Sequence, residues 1–206
     1  MSRFTGSRVM TDVDRNLELD LVARLRAGDA SAIDEIHAAY HARLFTFLVR
    51  LTRNRDIAED LLEETWLKCI GHARKLQPDT SLGPWLFTVA RNLYISYCRS
   101  RMIETGHAPD GIGLWATGTS RPSPFEETAA NETERRIEAA LASLPVSYRE
   151  VLLLVGVSGL TPAEAAKICG LSAEALRQRL HRARTMLSNR LESPGLPRVR
   201  VSEVLP

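Results

Sequence analysis

Four stretches of this chain carry side chains whose types and spacing could do chemistry. The densest lies near the C-terminus. At the 100° per residue of a helix, Glu174, Arg177, Gln178, His181 and Arg182 share one face. Arg179 and Arg184 flank its boundary, and Leu176, Leu180, Ala183 and Leu187 fall opposite. Between positions 171 and 190 there are five arginines against one acid. Such a helix fits a DNA major groove, where Arg reads guanine, Gln reads adenine and the flanking arginines grip phosphate. The competing account is a solvated basic face on a packing helix.

The second stretch is 84–101. Leu86, Val89, Ala90 and Leu93 form a core stripe, while Trp85, Thr88, Asn92 and Arg99 fall together on an adjacent face. Arg91, Arg99 and Arg101 meet no acid within the segment. Aromatic, amide and arginine side chains on one helix suit unpaired bases, which stack on rings while the backbone seeks positive charge. Taken alone, Trp85 reads as a core residue. The third stretch, 56–64, holds Asp56, Glu59, Asp60, Glu63 and Glu64 with no base. Acidic helix faces are usually just solvated; beside Leu62 and Trp66 this one also fits protein docking. The fourth feature is a pair of metal-compatible spacings, His37 with His41 and Cys69 with His72. Neither has a further ligand cluster in sequence, so both read as structural and no metal or cofactor is expected. No Gly-rich phosphate loop, H-E-x-x-H or G-x-S-x-G motif occurs, so no catalytic residue is expected and the chain reads as a non-enzyme.

The elements that must position these residues read as all-α: tail, helical block, linker, helical block, tail. Residues 1–16 are polar. Helical periodicity runs over 17–27 and stops at Gly28; Asp29 caps a helix carrying Ile33, Ile36, Tyr40, Leu44, Phe47, Leu48 and Leu51. A break at Asn54-Arg55 precedes a helix from Asp56, with Glu59 completing a capping box. After the loop 77–81, Ser81 caps a helix to about Arg101, with Pro84 in its first turn. Residues 104–132 are rich in Gly, Pro, Ser and Thr and read as a flexible linker. Helical signals resume at 133. Ser147 to Glu150 reads as a capping box for the apolar run 151–157. Thr161-Pro162-Ala163-Glu164 is a stronger start signal. Gly170 turns the chain and Ser172 caps the final helix to about Leu191. Helix, short Gly turn, helix is the helix-turn-helix pattern. The tail 193–206 reads as disordered, the competing account being a strand paired with a partner.

Bulk properties exclude several classes. The chain has 206 residues, one domain's length or two small ones, with an ordinary 44% apolar fraction. No apolar run approaches the ~20 residues of a membrane span, and the first twenty residues do not form a signal peptide. Three cysteines, Cys69, Cys98 and Cys169, without a C-x-x-C spacing fit a reducing compartment, so a cytoplasmic location is expected. Of 27 basic residues only Lys68, Lys75 and Lys167 are lysine. The net charge of +2 is unevenly spread: +2 over 1–103, −5 over 104–134, +4 over 135–192 and +1 over the last fourteen residues.

Asp56-Ile-Ala-Glu-Asp-Leu-Leu-Glu-Glu-Thr-Trp66, Trp85-Leu-Phe-Thr-Val-Ala-Arg-Asn92, Leu144-Pro-Val-Ser-Tyr-Arg-Glu150 and Arg177-Gln-Arg-Leu-His-Arg-Ala-Arg184 occur in that order. Together they resemble bacterial sigma factors of the sigma-70 family, in the small extracytoplasmic-function group. The resemblance covers about 17–103, as sigma region two, and 133–191, as sigma region four. It implies a transcription initiation factor whose partners are core RNA polymerase, through its clamp and flap regions, promoter DNA and an anti-sigma protein. It further implies that Asp56, Glu59, Asp60, Glu63 and Trp66 dock on the polymerase clamp helices. The loop 77–81 with Trp85, Thr88, Asn92 and Arg99 would capture and melt the minus-ten element. Ser172, Glu174, Arg177, Gln178, Arg179, His181 and Arg182 would read the minus-thirty-five element. The acidic linker would thread near the polymerase active centre. Three departures from the pattern stand out: Ser96 where Asp is usual, Ser81-Leu-Gly-Pro before Trp85, and Glu63 where Gln is common. The main rival is a helix-turn-helix regulator with an unrelated sensor domain; it predicts a ligand pocket or phosphoacceptor in 17–103 and homodimerisation.

Overall fold

The structure is a computed structural model that describes residues 12–104 and 132–192. Every regular element among them is helical. In chain order these are α1 (Asp12–Ala27), α2 (Ala30–Thr52), α3 (Arg55–His72), a 3-10 turn (Ala73–Lys75), α4 (Leu82–Glu104), α5 (Glu132–Ala142), α6 (Val146–Leu152) with a π-helical turn (Leu153–Val157), α7 (Pro162–Cys169) and α8 (Ala173–Glu192). The all-α, two-block reading therefore holds. The acidic linker and the C-terminal tail lie outside the described residues.

The helix ends show where local sequence signals hold and where distant residues replace them. Asp29 caps α2, its carboxylate accepting from Ser31 N–H at 2.9 Å. Thr161 and Glu164 form a reciprocal capping box on α7, with Pro162 beside it, and Gly170 closes that helix in the left-handed region at φ 65°. Ser172 accepts from Ala175 N–H at 3.1 Å, opening α8. Three expected starts differ. The cap of α3 is Asn54, accepting from Ile57 N–H, rather than Asp56, because Asn54 already holds the extended conformation a cap needs. No side chain caps α6, which begins after Pro145; Glu150 of the expected box is buried and engaged elsewhere. Ser81 precedes α4, but its hydroxyl accepts from Arg15, and the α4 amide of Leu82 is instead met by Glu18 of α1. The first helix also begins at Asp12, ahead of the periodic stretch at 17.

α2, α3 and α4 pack on one another, with α1 laid across α2 and the 3-10 turn. Their interior holds Ile36, Leu44, Phe47, Leu48, Leu61, Leu62, Leu86, Phe87 and Ala90, and Phe47 meets Phe87 edge-on at 5.3 Å. In the second block α6 and α7 pack against α8, which buries Leu176, Leu180, Ala183, Leu187 and Leu191. Each such leucine, isoleucine or phenylalanine, fully buried, contributes about 1.5–3 kcal/mol.

A polar seam joins the blocks, where α7 packs on α4 and the π turn packs on α2. Arg149, only 2% exposed, donates to the carbonyls of Arg50 and Leu51 at the end of α2, and to those of Ala142 and Leu144 at the end of α5. One guanidinium thus satisfies the C-terminal carbonyls of two helices, where a cation also meets the negative dipole end. Burial draws its pKa down to about 10. Glu150 accepts from Arg91 of α4 at 2.7 Å, Arg50 pairs with Glu138 at 2.5 Å, and Arg43 donates to the Ser158 carbonyl. Arg91, with no acid in the segment 84–101, finds one across this seam.

Candidate polymerase and nucleic-acid interfaces

α3 turns Ala58, Leu61, Leu62, Thr65 and Cys69 inward. That leaves Asp56, Glu59, Asp60, Glu63 and Glu64 exposed, with Leu67 and Ile70 exposed further along the helix. Trp66 sits at the edge of this face, half-buried. His41 stacks on its ring at 6.4 Å with a 12° tilt, and His37 lies at 4.8 Å. The two histidines that spacing alone offered as a metal pair therefore support a tryptophan. Burial, and then the neighbouring His37, lower the pKa of His41. The indole N–H of Trp66 is buried without a hydrogen-bond partner.

Beside Trp66 a groove of about 410 Å³ opens between α2 and α3, lined by His41, Phe45, Arg55, Glu59, Leu62 and Glu63. Arg55 spans it, donating to Glu59 at 2.7 Å with its guanidinium 5.6 Å from the Phe45 ring. His41, Phe45 and Arg55 were not among the residues expected here. The spacing of four from His37 to His41 to Phe45 is the sequence trace of the first two. Their meeting with α3 is a long-range contact that spacing does not encode.

On α4, Leu86, Ala90 and Leu93 are buried and Val89 half-buried. Trp85 and Thr88 are half-buried, while Asn92, Ser96 and Arg99 are exposed. The Thr88 hydroxyl donates back to Pro84 O at 2.7 Å. Trp85 to Arg99 spans fourteen residues of helix, about 21 Å. Ser96 lies on this exposed stretch, so the departure from the family pattern falls where it could alter a contact, not the core.

Ser172 at the start of α8 and Glu174, Arg177, Gln178, His181 and Arg182 on it are exposed, and Arg179 is half-buried. Glu174 accepts from Arg177 at 2.5 Å and from Gln178 at 3.1 Å. Those two hydrogen bonds hold the Glu174 carboxyl below its ordinary pKa. Ser172 is committed to its cap, so its hydroxyl is occupied by the backbone. Among the described residues no group of three or more His, Cys, Asp or Glu could hold a metal ion, and no helix is long and apolar enough to cross a membrane.

Residues 36–102 match the family model described as sigma-70 region 2, and 134–187 match sigma-70 region 4. The chain belongs to the sigma-70 family. Within that family it is 40% identical over 163 residues to the ECF RNA polymerase sigma factor EcfG of Rhodopseudomonas palustris, covering 79% of this chain and 86% of that one. This places it in the extracytoplasmic-function group of sigma factors, whose function is to direct transcription initiation to promoters. Two solved structures share the fold: CnrH in complex with the cytosolic domain of CnrY, and the sigma factor RpoE in complex with the anti-sigma factor NepR from Bartonella quintana. The first has a TM-score of 0.63 at 21% identity, over 86% of this chain and 99% of that one. The second has 0.56 at 24% identity, over 90% and 100%. On this sigma factor, region two takes in most of α2 with α3 and α4, and region four takes in α5 to α8. The rival of an unrelated sensor domain in 17–103 falls with the region-two match.

Proposed function

We propose that three faces of this sigma factor divide the work of initiation. The α3 face, Asp56, Glu59, Asp60, Glu63 and Trp66, docks on the clamp helices of core polymerase, and region four engages the flap. Exposed carboxylates beside Trp66 and the adjoining groove supply an acidic rim around an apolar anchor, the usual anatomy of a docking site. On α8, Arg177, Gln178, His181 and Arg182 read duplex bases of the minus-thirty-five element. Glu174 orients the first two, Arg179 supports at the edge and Ser172 fixes the helix start. The loop 77–81 with Trp85, Thr88, Asn92 and Arg99 holds unpaired minus-ten bases. Residues 193–206 serve as a tail, 12–103 (the expected 17–103 extended by the start of α1) and 133–192 as the two working domains, and 104–132 as the linker that occupies the polymerase nucleic-acid channel. The site of action is the cytoplasm, and an anti-sigma protein, of the kind bound to the RpoE neighbour, restrains the factor.

The mechanism is positional, without a chemical step of its own. Extruding a base costs a few kcal/mol, and stacking contacts return about 1–3 kcal/mol per base. A few such contacts offset melting when polymerase holds the register. Elements about 25 base pairs apart lie roughly 85 Å apart along the duplex. A packed body of about 150 residues has a radius of gyration near 15 Å. Reading both elements together therefore requires the seam at Arg149 to part.

The observation that carries this function is α8: it buries five apolar side chains on one face and leaves a basic and amide row in solvent, at the second helix of a helix-turn-helix. The test pairs substitutions across faces. Arg177→Ala and Arg182→Ala should weaken minus-thirty-five-dependent transcription with polymerase binding intact, whereas Asp60→Arg should abolish polymerase binding. Loss of polymerase binding in the α8 variants would mean that the faces are misassigned.

A further inference from the structure

We propose that α1 belongs to the minus-ten apparatus, with Arg15 and Glu18 as positioning residues for the loop 77–81 and the first turn of α4. The inference rests on the assignment of that loop and α4 to unpaired minus-ten bases. Glu18 is buried in mid-α1, 8% exposed. Its Oε1 accepts from the Leu82 N–H, the first amide of α4, at 2.7 Å. Its Oε2 accepts from Arg15 Nη1 at 2.8 Å. The same nitrogen donates to Ser81 Oγ at 2.8 Å, and Arg15 Nη2 donates to the Asp79 carbonyl at 2.7 Å. Two side chains one helical turn apart thus hold the chain at 79, 81 and 82.

The geometry is more than helix packing. The apolar anchors of α1, Val22 and Leu25, lie in its C-terminal half. In the N-terminal half Leu17 is 61% exposed, and the attachment shown there is through Arg15 and Glu18 to the loop. Ser81, the residue placed to cap α4, has its hydroxyl taken by Arg15, and a carboxylate from α1 faces the helix start instead, where the dipole favours negative charge. From the other side Tyr40 of α2 closes on Gly83, where an added Cβ would stand 3.3 Å from its ring. The start of α4 is therefore clamped between α1 and α2, with Trp85 in the same turn. A loop ordered before DNA arrives loses less freedom on capturing a base. α1 lies outside the span 36–102 that matches region two, so the family match assigns it no part in this.

The test uses the full chain with core polymerase and a duplex library randomised over both promoter elements, sequenced after capture of open complexes. For Arg15→Ala, base preference at one or more minus-ten positions should fall roughly tenfold, the scale of one lost base contact. Minus-thirty-five preferences and polymerase affinity should stay unchanged. Glu18→Gln keeps an oxygen for the Leu82 amide but loses the ion pair, and should fall between wild type and Glu18→Ala. A loop variant, Gln77→Ala with Thr80→Ala, calibrates the assay. If it flattens the minus-ten preference while the Arg15 and Glu18 variants do not, the role of α1 is wrong and the loop assignment stands. If the loop variant also changes nothing, both are wrong. A uniform loss at both elements, with a lower melting temperature, would make α1 a structural strut and overturn the proposal.

Discussion

At the scale of single residues, most of the side chains that the proposal assigns to DNA and polymerase are exposed, and on α8 their neighbours fix their direction. Arg177 and Gln178 share one acceptor, Glu174, so the row they form is partly ordered before any base is met. A good base-edge pair is worth about 1–3 kcal/mol, so Arg177→Ala should cost roughly 5- to 150-fold at one minus-thirty-five position. Template competition at constant polymerase concentration measures this. Trp66→Ala should weaken polymerase binding by about thirtyfold or more, the ~2 kcal/mol threshold for an anchor residue, with the helical circular dichroism unchanged; fluorescence anisotropy with core enzyme checks it. The thiols give a pH prediction. Burial raises Cys69 to about 11, and burial with the nearby Glu150 raises Cys169 to about 12, from an ordinary 9.0. The folded chain then holds these protons more tightly than the unfolded chain does. Their contribution is complete below pH 9 and is lost as pH rises toward 11–12. The urea midpoint should therefore fall between pH 9 and 11, and fall less in the Cys69→Ala and Cys169→Ala double variant.

At the scale of elements, legibility followed the range of the interaction. The α7 box of Thr161 and Glu164, the Gly170 turn and the Ser172 cap are local and stand in the sequence as they stand in the fold. The apolar stripe of α8 was equally legible, because 3.6-residue periodicity needs no knowledge of the partner. The start of α4 was not. Its amide is met by Glu18, 64 positions away, and no local pattern marks a carboxylate as the cap of another helix. The apparent capping box at Ser147 to Glu150 failed for a related reason: Glu150 is drawn across to Arg91. The candidate site divides in the same way. Each helix face was readable from spacing, whereas the groove beside Trp66, which needs α2 to lie against α3, was not. The capping box gives a prediction at this scale. Thr161→Ala should lower stability by about 1 kcal/mol and weaken minus-thirty-five binding through a frayed α7, readable as a lower urea midpoint.

At the scale of the whole molecule, the near-neutral charge conceals an acidic face on α3 and a basic face on α8, and the seam between blocks is polar at its centre. Arg149 ties the ends of α2 and α5, so Arg149→Leu leaves up to four carbonyls short of a donor. Leaving buried polar groups unpaired costs about 1–3 kcal/mol each. Partial relaxation and solvation at the seam bring the expected loss to about 3 kcal/mol in urea unfolding. A chain of net charge +2 gains little from phosphate attraction alone, so promoter affinity should depend on polymerase. That dependence is the central claim, and run-off transcription on a promoter library, with and without core enzyme, tests it most directly. Together with core polymerase, the chain should yield transcripts from templates that share two sequence blocks near minus-thirty-five and minus-ten, while the chain alone binds those templates only weakly in physiological salt. Tight binding by the chain alone, at nanomolar concentrations, or no chain-dependent transcript with core polymerase, would contradict it.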